Sequence, residues 1–243
     1  MGGAFARRSS RESLSERFAP GVSREQSRPA PGSGRKRPDG PPRERILRAT
    51  AATIRDHGYR DTTVAEIAAA AGVSRRTFYN EFPSRSEAFI ATYEHGFQQT
   101  LAACTPAFLS VSEWPERVWR GAEALTGFMA REHAIAYLGF VECHALGPAF
   151  ARRVHDTQLA FTLFLEEGYR QRPQAASLSR ACSALTAAAI FEVGFQVIRS
   201  ASSLRMQPLA VYIALAPFIG LAPAGEFVAD KVAEKGSDAS AAG

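Results

Sequence analysis

An all-α fold is what the sequence predicts, on three observations. Apolar residues between about Ser110 and Leu221 recur at spacings of three and four, and no run alternates at two. Thr63 with Glu66, and Ser84 with Glu87, have the spacing of helix-opening capping boxes. Gly58, Gly72, Gly147-Pro148, Pro173 and Pro208 stand where such helices would have to stop. The chain has 243 residues, 46% of them hydrophobic, which suffices for one large domain or two small ones.

Residues 1–40 are rich in Arg, Ser, Pro and Gly and hold too little apolar material to offset ordering entropy, which predicts a disordered basic arm. They carry nine Lys and Arg against four Asp and Glu, whereas the whole chain has a net charge of +5, so the remainder is neutral. Such an arm is either a solvated tail or a contact for an anionic polymer, whose counterions Lys and Arg release. The first residues lack the apolar core of a signal peptide, and no run of about 18 uncharged apolar residues stands out. A soluble, cytoplasmic protein without a membrane span is expected.

The first helix should start at Pro41-Pro42, present Leu47, Ala51 and Ile54 on one face, and end at Gly58. Thr63 and Glu66 open a second, in which Val64, Ile67, Ala68 and Ala71 form one apolar stripe before Gly72 stops it. Ser74 caps a third short helix, with Val73 and Phe78 placed as a hydrophobic staple. Ser84 and Glu87 open a longer helix through Phe89, Tyr93 and Phe97 toward Pro106. Further helices are expected over about 115–130, 132–146, 148–170, 177–200 and 208–220. The division is then 1–40 as the arm, 41–97 as a three-helix domain, 98–225 as a second helical domain, and 226–243 as a flexible tail.

Two short capped helices joined at a glycine, the second basic and polar outward, have the form of a helix-turn-helix. One helix held by its partner at a fixed angle can enter the major groove, about 12 Å wide, and offer side chains to base edges. Val73 and Phe78 turn inward, leaving Arg75, Arg76, Thr77, Tyr79 and Asn80 for DNA. An exposed polar corner of a helical bundle is the competing reading. The run TTVAEIAAAAGVSRRTFYNEFPSRSEAF resembles the DNA-binding domain of the TetR family of transcriptional regulators, with the match extending from about Arg45 to Phe97. The family pattern I-A-x-x-A-G-V-S is present from Ile67 to Ser74, followed by Thr77-Phe78-Tyr79 and Phe82.

That resemblance implies Arg75 and Arg76 at base-reading positions, with Ser74, Thr77 and Tyr79 at the backbone or base methyls. It also implies the hydroxyl and N–H of Thr63 on a phosphate, and a second phosphate at Arg85, where the family commonly has Lys. Glu81 departs from the pattern, because a carboxylate beside DNA is repulsive. The arm either enters an adjacent minor groove or lies upstream of the true start of translation. The implied protein is a homodimeric repressor, released from a near-palindromic double-stranded operator by a small-molecule effector; an activator of the same fold is the alternative.

The effector would be apolar or aromatic, because the middle helices are rich in rings. Trp119, Phe128, Tyr137, Phe140, Phe161 and Phe164 are the candidate pocket residues, with plain core as the competing reading. The last two long helices, 177–200 and 208–220, would build the dimer, Ala181, Leu185, Ala188, Ala189 and Glu192 giving one of them a small-residue side.

A helical enzyme or metal-binding protein using His133, Glu142 and His144 is the remaining alternative. His133, His144 and His155 are eleven apart, which on one helix separates neighbours by about 16 Å, too far for one ion. Cys143 adjoins His144, but neighbours in a helix point about 100° apart. Cys104, Cys143 and Cys182 read as buried reduced thiols. No catalytic role, cofactor or metal is expected.

Overall fold

The computed structural model describes residues 40–171, 181–200 and 206–241. The basic arm expected over 1–40 lies outside them, Gly40 excepted, as does Pro173. Among the described residues there are α-helices and 3-10 turns and no strands. The helices are α1 (Pro42–Asp61), α2 (Val64–Ala70), α3 (Arg75–Glu81), α4 (Arg85–Phe108), α5 (Trp114–Arg131), α6 (His133–Phe140), α7 (Pro148–Phe161), α8 (Gly168–Gln171), α9 (Ala181–Ser200), α10 (Met206–Ile219) and α11 (Leu221–Ala241).

The N-terminal three helices wrap one small core. Ile46, Leu47 and Ala49 of α1 meet Ile67, Ala68 and Ala71 of the second helix, Phe78 of the third, and Phe82 and Ala88 beyond it. Helix α1 begins with Pro42 in its first turn, as fixed φ favours. It does not stop at Gly58: that residue breaks the helix with φ 78° and ψ 159°, and one more turn runs to Asp61.

Helix α10 is apolar nearly all round and occupies the centre of the second half, as such helices must. Val211, Leu215 and Phe218 are completely buried, packed with Trp114, Val118 and Trp119 of α5. Pro208 does not interrupt α10; it falls in the first turn, where its missing N–H has no helical partner to lose.

Residues 226–243, expected to trail as a flexible tail, are helical as far as Ala241. Ala224, Phe227, Val228 and Val232 recur at helical spacing and pack on the Trp119–Phe218 core. Lys231 pairs with Glu116 at 2.8 Å, and Lys235 with Glu123 and, at 2.9 Å, the Gln207 side-chain Oε1, fastening α11 along α5 and α10.

The single helix expected over 148–170 is divided. It ends at Phe161, passes through a 3-10 turn at Thr162–Phe164, and resumes as α8. Contacts from other helices cause this. The Trp114 indole N–H takes the Phe164 carbonyl at 3.0 Å, and Arg117 pairs with Glu167 at 2.7 Å. Gly168 lies so close to Phe218 and Trp114 that an added Cβ would meet them at 2.6 and 2.7 Å. Similarly, α6 stops at Phe140 rather than Leu146, and a 3-10 turn brings Glu142 onto α1. There its carboxylate accepts the Tyr59 backbone N–H at 2.9 Å.

Candidate DNA interface and effector cavity

Helices α2 and α3 meet through hydrogen bonds that their sequence specifies. Thr63 and Glu66 form a complete capping box, and Glu66 Oε2 also accepts the Thr63 hydroxyl at 2.8 Å. Those bonds hold the Glu66 carboxyl below its ordinary range, the backbone bond from Thr63 contributing most. At the other end Gly72 has φ 64°, the left-handed conformation that glycine adopts without a Cβ clash. Gly72 N–H reaches the Ala69 carbonyl at 3.1 Å and Val73 N–H the Ala68 carbonyl at 2.9 Å, the paired bonds of a Schellman turn. The Arg45 guanidinium donates to the Gly72 carbonyl at 3.3 Å, fastening the turn to α1.

Helix α3 is capped by Ser74, whose hydroxyl accepts the Thr77 N–H at 3.0 Å. Phe78 is completely buried and Val73 packs against the same core, so the staple is formed. The outward face carries Arg75, Arg76, Tyr79 and Asn80, all exposed, with Thr77 half-buried and Tyr79 at 55% exposure. Within seven residues, one side of α3 anchors the core and the other offers two guanidinium groups and a phenol to solvent. Glu81, at the far end of the helix, is half-buried.

Two expected phosphate ligands are engaged inside the protein. The Arg85 guanidinium donates to the carbonyls of Arg60 and Thr62 and stacks over the Tyr59 ring at 4.4 Å. It fastens α4 to the end of α1. The N–H and hydroxyl of Thr63 both go to Glu66, so a phosphate there would have to compete with the capping box.

Behind this head, α4, α5, α6, α7, α9 and α10 enclose a cavity of about 120 Å³ with an almost wholly apolar wall. Of the six expected pocket residues, Phe128, Phe140, Phe161 and Phe164 line it. Trp119 does not: it is 3% exposed in the core under α11, edge-on to Phe227 at 6.5 Å, with the Lys235 ammonium over its ring. Tyr137 is half-buried on α6 and also lies outside the wall. Phe97, Phe108, Met129 and Phe191 also line the cavity and were not among the expected pocket residues. Phe97 and Phe108 continue the apolar face of α4, so helical spacing from Tyr93 onward was a usable signal for them.

Of the five residues expected to form one side of helix α9, Ala181, Leu185, Ala188 and Glu192 are exposed, Leu185 at 71%, and Ala189 is half-buried. It is the only described helix long and apolar enough to cross a membrane, and just 22% of it is buried within the chain. His133, His144 and His155 are all exposed, and among the described residues no three His, Cys, Asp or Glu gather as a metal site would require. Burial pushes the Cys104 and Cys143 thiols up to about 11 and about 12, which keeps them protonated.

Residues 46–92 match the family described as bacterial regulatory proteins, tetR family. The HTH-type transcriptional activator FasR of Mycolicibacterium smegmatis is 24% identical over 172 residues, spanning 70% of this chain and 67% of FasR. Among solved structures, a bacterial regulatory protein in the tetR family from Rhodococcus RHA1 is 25% identical with a TM-score of 0.57, over 74% of this chain and 98% of its own. The transcriptional regulator FadR from Bacillus subtilis, solved in complex with stearoyl-CoA, shares the fold with a TM-score of 0.60 at 16% identity, over 73% of this chain and 98% of FadR.

Proposed function

We propose that the chain is a transcriptional regulator of the TetR family, a homodimer that holds a near-palindromic operator until an apolar effector enters the cavity. One observation carries this reading: α4 belongs to both halves of the mechanism. Its first turns put Ala88 and Phe89 into the packing of the head, and its later turns put Phe97, Thr100, Cys104 and Phe108 into the cavity wall. An effector that fits only one position of α4 binds that position more tightly and shifts the population toward it. The position of α4 sets the spacing of the two heads in the dimer.

In this reading Arg75 and Arg76 take base edges, Ser74, Thr77, Tyr79 and Asn80 take backbone or base methyls, and Arg85 positions the head. The exposed side of α9, with the half-buried Leu209, Ile213 and Pro217 of α10, is the dimer face. That assignment explains an apolar helix with so little cover inside one chain. The effector is a small molecule with an apolar chain, in keeping with the cavity wall and with the stearoyl-CoA bound by the structural neighbour. Residues 41–97 form the reading domain, and the chain acts in the cytoplasm as a binding protein rather than a catalyst.

Repression is the proposed sign. Activation is the second reading, favoured by the name of the relative FasR, a transcriptional activator. Selection of bound sequences from random DNA, repeated in the presence of stearoyl-CoA and a metabolite library, tests the proposal. A two-fold-related motif released by an apolar compound is expected. Binding without sequence preference, or by monomers, would overturn it. A reporter with the operator placed over or upstream of a promoter then separates the two signs.

A further inference from the structure

Among the described residues that line the effector cavity there is no Lys, Arg, His, Asp or Glu, and the polar side chains of its wall are Tyr93, Thr100, Cys104 and Thr157. None of these offers a ligand a strong hydrogen-bond donor. Thr100 donates its hydroxyl hydrogen to the Gly96 carbonyl at 2.8 Å, and Thr157 to the Arg153 carbonyl at 3.0 Å. The Tyr93 hydroxyl is buried beside Thr157, with no surface open to the cavity. Burial keeps the Cys104 thiol protonated, and a thiol donates only weakly. A carboxylate or phosphate placed here would lose its water and gain no partner in return.

Size narrows the class further. A cavity of about 150 Å³ lined by Leu, Ile and Phe takes one benzene ring, whereas drug-sized ligands need about 300–1,000 Å³. At about 120 Å³ this cavity has room for one ring and none for a long acyl chain. Its own rings are linked in series. Phe108 meets Phe164 at 5.0 Å between centroids, Phe164 meets Phe161 at 5.9 Å, and Phe161 meets Phe97 at 5.9 Å and Phe191 at 5.5 Å. The first and last of these contacts are edge-on, an arrangement that a further ring can extend. Two glycines of the wall separate packing from open space. A Cβ at Gly96 would meet Ile135 at 2.5 Å, so close helix packing requires that glycine. A Cβ at Gly139 of α6 would meet nothing within 4 Å, although glycine is a poor residue for a helix, and its missing side chain leaves the space free.

Resting on the effector reading above and narrowing it, we propose that the effector is an uncharged single-ring hydrocarbon held whole inside this cavity, with no headgroup outside it. Its binding draws on removal of the hydrocarbon from water and on contacts between rings. Phe97 and Phe108 of α4 belong to that ring set, so the ligand presses on the helix that carries the reading head.

Calorimetry and operator release with the full chain test this with three probes: toluene, benzoate, which adds a carboxylate to the same ring, and stearate. Toluene should bind and release the operator, benzoate should bind at least about a hundredfold more weakly, and stearate should not bind. Gly139→Leu fills the space from a position where its Cβ displaces no neighbour. It should keep the operator affinity and a melting temperature no lower than the wild type, and lose toluene; Gly139→Ala should lose toluene in part. Phe191→Ala enlarges the cavity and should bind naphthalene where the wild type does not, a gain that misfolding cannot produce. Toluene that fails to bind, or binds without releasing the operator, would overturn the proposal, as would benzoate within about tenfold of toluene. Stearate binding that Gly139→Leu abolishes would overturn the single-ring class and leave the effector cavity standing. A Gly139→Leu variant still released by the compound that releases the wild type would instead remove the cavity as the effector site, and this inference with it.

Discussion

Replacing Glu142 with Ala cuts a bond that joins residues 83 apart in sequence, the Glu142 carboxylate and the Tyr59 backbone N–H. Gly58, at φ 78°, has already turned Tyr59 out of helical register, so the carboxylate stands in for the carbonyl that a continuous helix would supply. A hydrogen bond to a charged group contributes about 1.5–3 kcal/mol, and this one is only part-buried, so a loss of about 1–2 kcal/mol of stability is expected. Glu142→Gln keeps an acceptor without the charge and should lose about half as much. If the same bond helps transmit effector binding to the head, its coupling is at most that size. The effector's leverage on operator affinity should then shrink by about five- to thirty-fold, as 1.4 kcal/mol is tenfold. Urea unfolding gives the stability, and operator titrations with and without effector give the coupling. An alanine variant with unchanged stability would refute the reasoning about Tyr59. One that loses stability but keeps the full effector response would refute the coupling alone.

Arg75→Ala and Arg76→Ala should each relax base preference by about 1–3 kcal/mol in selections from random DNA, and unchanged preference in both would remove them from the base edges. Arg85→Ala should lower the melting temperature and leave the salt dependence of operator binding as it was; a slope reduced by about one would return Arg85 to a phosphate. The Glu66 carboxyl is held below its ordinary range, so the stability it lends is present above that range and lost as pH falls through its folded-state value. Urea midpoints measured from about pH 6 down to about pH 3 should accordingly fall less steeply for Glu66→Gln than for the wild type. Phe227→Ala, which uncovers Trp119, should cost roughly 2 kcal/mol in urea unfolding, about half the loss at a fully buried Phe. No loss would show that α11 is dispensable to the core.

The reading head was legible because its signals are local. Thr63 with Glu66, Gly72 at a left-handed turn, and Val73 with Phe78 each act within a few residues, and each forms as its spacing predicts. What escaped the sequence depends on contacts between distant segments. Nothing around Thr162 announces a helix break; it follows from the bonds of the Trp114 indole to Phe164 and of Arg117 to Glu167, each joining residues fifty apart. Helix α11 was hidden because EKGSDASAAG is small and polar, while its anchoring residues begin earlier, at Ala224. That omission explains the misplacement of Trp119: with no helix to cover it, its ring looked available for a pocket. Arg85 has the residue type and position of a phosphate ligand, and the bonds of its Nη1 to the carbonyls of Arg60 and Thr62 could not be read from either.

Helix α4 has 24 residues and is therefore about 36 Å long, at about 1.5 Å per residue. As a stiff rod pivoting near the cavity, it multiplies displacement along its length. Phe97 is twelve residues, about 18 Å, from Arg85, so a tilt of about 5° there moves the first turn by about 1.5 Å, and the two copies of the proposed dimer by about 3 Å in all, close to the rise of one base pair. Half-sites about 34–36 Å apart tolerate no such error, since each head would face the wrong base. On the proposed mechanism, a change in side-chain packing made deep among Phe97, Phe108 and Phe161 thus becomes a slip of about one base pair between the two heads. The proposed release then needs no large domain motion, only a long arm and a short fulcrum.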